Sequence, residues 1–233
     1  MIRTWSIIDF VLVMLGGFLG TAVFAVIGIV AASDEYFILL ALAGQYAGHL
    51  FVLWLLNRSK PEGSLGFEVR GRDAGYLIAG LGLQFGLSLL FLPLVLYLFP
   101  EGGPAQEVGS TISELESSGA RISSLLISVV LAPITEELAF RGVLIQTMIN
   151  RSRRFIIVVS ALVFSLFHVL GLATDNFGPA AAVVLPQLFI VGMILAWVTL
   201  RSERLGPAIF LHGGFNLLAA IVLLLPPEVL NAG

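Results

Sequence analysis

The chain has 233 residues, 58% of them hydrophobic and only 12% charged, with a formal net charge of −3 and no cysteine. A soluble domain carries about 25% charged residues, so this composition excludes an ordinary soluble globule. The absence of cysteine excludes disulfides, thiolate metal sites and a thiol nucleophile, and no Lys/Arg-rich tract or motif points to nucleic acid.

Apolar runs long enough to cross a bilayer, about 17–25 residues each, fall at roughly 7–32, 36–56, 74–99, 122–150, 155–172, 179–200 and 207–225. They predict an all-α, polytopic transmembrane helical bundle of about seven spans, organised as one integral membrane domain over 1–233. The first run exceeds the 7–15-residue core of a secretory signal, so it reads as a retained anchor. Small residues four apart, Gly16/Gly20, Gly44/Gly48 and Gly82/Gly86, predict close helix packing. His49 reads as a packing residue, Gln84 and Gln187 as interhelical hydrogen-bonding groups, and Asp9 as interfacial. The loops 57–73 and 100–121 are the sizeable extramembrane segments, and Ile112–Glu116 suits a short interfacial helix.

Cationic residues cluster on alternate loops: Arg3; Arg58, Lys60, Arg70 and Arg72; Arg151, Arg153 and Arg154; Arg201 and Arg204. The opposite loops hold Arg121 and most of the acids. By the positive-inside rule this predicts a multi-pass protein of the cell membrane with its N-terminus cytoplasmic and its C-terminus outside.

The fourth run contains Pro133-Ile-Thr-Glu136-Glu137-Leu-Ala-Phe-Arg141. Ionisable groups at a helix centre cost ~2.5–3.5 kcal/mol each on insertion scales, so three within six positions call for a purpose. Glu137 and Arg141 are i,i+4 with the acid first, the favourable order for an ion pair. Glu136 lies about 100° around the helix and is left facing the interior with no cation of its own, the setting of a general base. Pro133 removes a backbone N–H, and the carbonyl it frees needs water or a side chain as partner. The fifth run carries Phe164 and His168 on one face, and the seventh carries His212-Gly-Gly-Phe-Asn216, with His212 and Asn216 one turn apart. A carboxylate, two imidazoles and an amide suffice to activate water and stabilise an oxyanion.

Glu136-Glu137-x-x-x-Arg141, Phe164-x-x-x-His168 and His212-x-x-x-Asn216 resemble, in type, order and spacing, the motifs of the CAAX protease and bacteriocin-processing (CPBP, or Abi) family of intramembrane endopeptidases. The resemblance covers residues 120–225. It implies a glutamate-type, metal-independent peptidase without cofactor, acting on a membrane-associated peptide or protein, prenylated CAAX ends included. Glu136 and His168 would activate water, and His212 and Asn216 would bind the oxyanion. Glu137 and Arg141 would hold Glu136 in place, and Phe164 would be a supporting residue.

Two other functions fit the same residues. Glu136, His168 and His212 would suit a zinc-dependent hydrolase, although no H-E-x-x-H signature is present. A proton-coupled transporter also buries Glu, His and Arg, but no inverted repeat is visible. One geometric question stays open. At about 1.5 Å per residue, Glu136 and His168 lie deeper from the cationic ends of their spans than His212 does, so either the fourth helix projects out of the membrane or the seventh is tilted or starts deep.

Overall fold

One helix carries the acidic pair through the middle of the protein, and the other helices are arranged around it. In the computed structural model, described over residues 4–31, 34–100, 117–172 and 176–224, this helix is α4 (Gly119–Thr147), buried without interruption from Thr135 to Gln146. Around it stand α1 (Ile7–Ala31), α2 (Asp34–Asn57), α3 (Gly75–Leu98), α5 (Arg153–Phe167), α6 (Phe177–Ser202) and α7 (Gly206–Leu224). Among the described residues, six helices have the length and composition to cross a membrane, and α7 adds a shorter apolar stretch, Gly206–Ile221. The expected interfacial helix at Ile112–Glu116 lies outside the described residues.

Apolar side chains turn outward as well as inward: Ile8, Leu19 and Val30 on α1 and Ile78, Leu90 and Leu96 on α3 are all well exposed. A membrane helix has lipid where a soluble one has water, so association depends on close packing and buried polar contacts. The α1–α2 pair shows the first device. A Cβ added at Gly20 or Gly44 would collide with the other's carbonyl oxygen, and Gly16 and Gly48 meet in the same way. The third predicted pair behaves differently. A Cβ at Gly82 or Gly86 would meet nothing, and α3 instead crosses α7 at Gly80 and Gly214, which lie against the backbone of Leu211 and Leu77.

Buried polar contacts knit the cationic end. Asp9 is buried within the protein, bonded to Lys60 at 2.9 Å and to the Ser6 backbone N–H at 2.8 Å. Gln146 donates to the carbonyls of Ser64 (2.5 Å) and Gly142 (2.7 Å) and accepts from the Thr4 hydroxyl at 2.9 Å. The loop after α2 then binds the start of α7: Leu205 N–H donates to Gly66 O (3.0 Å) and Gly206 N–H to Glu68 O (3.1 Å). Beside them Arg204 grips both oxygens of Asp73, its NH2 reaching Oδ1 at 2.7 Å. This pairing raises the pKa of the Arg204 guanidinium. Leu205 is fully buried and Arg204 nearly so. The start of α7 is therefore covered by loop 64–74, and α4 is buried within the protein as far as Gln146. Gln84 makes no interhelical bond; its Oε1 is buried without a partner among the described residues.

Candidate active site

The site begins with a local defect in α4. Residues Ile127–Leu131 form a π-helical turn, in which the Ala132 N–H reaches the Ile127 carbonyl five residues back. In that register the Ser128 carbonyl would take its proton from residue 133, and Pro133 has none. The vacant acceptor is filled from α7, where Asn216 Nδ2 donates to Ser128 O at 2.9 Å. Gly213 allows this approach, since a Cβ there would stand 3.0 Å from Val129 O. The two glycines between His212 and Asn216 thus each face a neighbouring backbone, Gly213 that of α4 and Gly214 that of α3.

A second π-helical stretch, Leu138–Leu144, carries Arg141; such segments recur at functional sites. Glu137 and Arg141 are both fully buried and joined by Arg141 NH1 to Glu137 Oε1 at 3.1 Å. Arg141 NH2 also donates to Gly192 O of α6 at 3.3 Å. The guanidinium carbon lies 4.5 Å from the Phe164 ring centroid, over its face, a cation–π contact strengthened by the absence of water. Phe164 also makes edge-to-face contacts with both imidazoles, with centroids 4.7 Å from His168 and 5.7 Å from His212.

Glu137 has a further partner. His212 Nδ1 stands 2.9 Å from the same Oε1 that receives Arg141. A carboxylate only accepts, so His212 Nδ1 carries the proton and its Nε2 points away from Glu137. Glu137 thus links Arg141 to His212, while Glu136 leaves the helix about 100° away. His168 is oriented by the same logic. Its Nδ1 lies 2.8 Å from the Phe164 carbonyl, so it too donates through Nδ1 and presents Nε2.

Both Nε2 atoms face Glu136 Oε2, which is buried. That oxygen is 3.9 Å from His168 Nε2 and 3.8 Å from His212 Nε2, and it has no hydrogen-bond partner among the described residues. Separations beyond 3.5 Å between polar atoms leave room for a bridging water. Glu136 Oε1 takes a hydrogen bond of 3.4 Å from the Tyr46 hydroxyl of α2.

The expected residues Glu136, Glu137, Arg141, Phe164, His168 and His212 therefore meet in one place, and Asn216 lies a turn beyond, engaged with α4. Tyr46 was not anticipated. His49, expected to pack, is buried with both ring nitrogens unpartnered; its ring lies against Gly17 and 6.3 Å from Phe167. Among the described residues no three His, Cys, Asp or Glu side chains are assembled to hold a metal ion.

Residues 118–218, which contain every one of these motif residues, match the family model described as Type II CAAX prenyl endopeptidase Rce1-like. No curated protein and no solved structure matches the chain.

Proposed function

On the match of residues 118–218 to the Rce1-like model of CAAX prenyl endopeptidases, we propose that the chain is a membrane peptidase and that it works by a glutamate-dependent hydrolysis centred on Glu136. The observation that carries this reading is the convergence of Glu136 Oε2, free of any partner among the described residues, with the Nε2 atoms of His168 and His212 at 3.9 and 3.8 Å. A water held among these three atoms would give one proton to Glu136 Oε2 and donate its other hydrogen to His168 Nε2. Its oxygen would attack the scissile carbonyl carbon. The carbonyl oxygen, becoming negative, would be met by His212, whose protonated form Glu137 stabilises through Nδ1, and by the amide of Asn216. As the C–N bond breaks, Glu136 would return its proton to the leaving nitrogen, so that one water is consumed and an acid and an amine are released. A donor aimed at a developing oxyanion is worth ~2.7–4 kcal/mol in such sites.

The substrate class we propose is a membrane-associated protein with a prenylated, CAAX-like C-terminus, reaching the site within the bilayer. The test is cleavage of a farnesylated CAAX peptide by purified protein in detergent, with and without chelator, beside Glu136→Gln. Cleavage that survives chelator and is lost in the variant supports the reading. Cleavage that survives Glu136→Gln overturns it. Activity abolished by chelator and restored by zinc would overturn the metal-independent part of the reading.

A further inference from the structure

We infer that Tyr46 of α2 is a positioning residue for Glu136, anchoring Oε1 so that Oε2 is the oxygen presented to water. The inference rests on the role proposed for Glu136 and adds a residue from outside the segment that matches the family. Two observations carry it.

The first is electrostatic. Arg141, the cation nearest in sequence, is committed to Glu137 and Gly192. Among the described residues the Tyr46 hydroxyl makes the one direct hydrogen bond to Glu136, and both groups are buried. A carboxylate withdrawn from water needs donors, and a phenol supplies one without adding a countercharge that would compete with the imidazoles. With Oε1 so occupied, rotation of the carboxylate is restricted and Oε2 stays toward His168 and His212.

The second is architectural. Gly44 and Gly48 lie one turn apart on α2 and face α1 at backbone contact. At 100° per residue, Tyr46 projects from the opposite side of α2, where this helix packs on the first half of α4. The tight glycine contact thus fixes the rotation of α2 and with it the aim of the phenol. Helices α1 and α2, which hold none of the motif residues, acquire a part in the chemistry.

Tyr46→Phe removes the hydroxyl and keeps the ring. With the farnesylated peptide, kcat should fall about tenfold or more, the scale of a hydrogen bond to a charged group, with KM within twofold and thermal stability near wild type. Replacing Tyr46 by fluorotyrosines of increasing acidity leaves the shape almost unchanged, so a packing role predicts constant kcat and a hydrogen-bonding role predicts a graded one. A kcat within twofold of wild type in Tyr46→Phe, or no trend across the fluorotyrosines, overturns the inference. Glu136→Gln run in parallel separates the two failures. If it is inactive while Tyr46→Phe is normal, only the role of Tyr46 falls; if it retains activity, the reading of Glu136 falls first.

Discussion

Among the described residues two carboxylate–arginine pairs are buried, and they are built to opposite ends. In Asp73–Arg204 the pairing is complete: Asp73 Oδ1 and Oδ2 both accept from the guanidinium, and Oδ2 also takes the Arg70 backbone N–H at 2.8 Å. Glu137–Arg141 lies deeper and is less satisfied, with Glu137 Oε2 and Arg141 Nε buried without partners among the described residues and the shared Oε1 also bonded to His212. Buried charge is tolerated when paired and hydrogen-bonded. A pair that meets that condition holds a loop in place. One that stops short of it retains capacity to respond when an imidazole gains a proton or a substrate arrives.

The largest expected effect separates chemistry from scaffolding. Glu136→Gln should lower kcat by about 10²–10⁴-fold, the range of a general base, while the thermal midpoint stays close to wild type, since the amide keeps the shape and still accepts from Tyr46. A midpoint drop large enough to explain the lost turnover would place Glu136 with the scaffold. Asp73→Ala should do the reverse. It strands the Arg204 guanidinium under loop 64–74, and breaking a buried pair costs ~3–5 kcal/mol. The low end is expected here because the flanking Arg70 and Arg72 are exposed. Chemical denaturation in detergent measures the loss, and the kcat of the folded fraction should change little.

This contrast was only half legible in the sequence. Glu137 and Arg141 are four residues apart on one helix, so their pairing follows from helix periodicity, and the three motifs pointed to the residues that converge. Asp73 and Arg204 are 131 positions apart, and nothing local links them. Tyr46 is 90 residues from Glu136; the sign that it faces α4 was the glycine spacing around it, which becomes informative once the partner of that glycine face is known to be α1. The same ambiguity applied to Gly82 and Gly86, whose spacing matches a packing motif although their side of α3 meets nothing. Spacing shows which residues share a face but not what that face touches. The freed carbonyl was foreseeable from Pro133, whereas its identity required the π-helical register.

Asn216 gives an intermediate effect and tests whether that residue belongs with the scaffold, with the chemistry, or with both. Asn216→Ala leaves the Ser128 carbonyl without its donor, and a buried acceptor so deprived costs ~1–3 kcal/mol. If Asn216 acts only on α4, kcat in the folded fraction should stay near wild type. A fall of about 10²–10³-fold at nearly constant KM is the result expected of an oxyanion donor, and it would add chemistry to the structural bond.

The smallest effect belongs to a third pair that completes the series, Glu68–Arg70, at 2.5 Å and open to solvent on both sides. The Arg70 hydrogen bond holds the Glu68 carboxyl below its ordinary pKa. A depressed folded-state pKa stabilises the protein above the unfolded value, about 4.3 for Glu, and this benefit is lost as pH falls through the folded value. Solvent and salt screen such pairs until many contribute nothing measurable. Glu68→Gln should therefore shift the thermal midpoint slightly or not at all at neutral pH, and any difference from wild type should vanish once the pH drops well below 4.3. A large loss at neutral pH would show that loop 64–74 depends on its surface charges and not on Asp73–Arg204. The grading of the three pairs by burial would then fail at its simplest member.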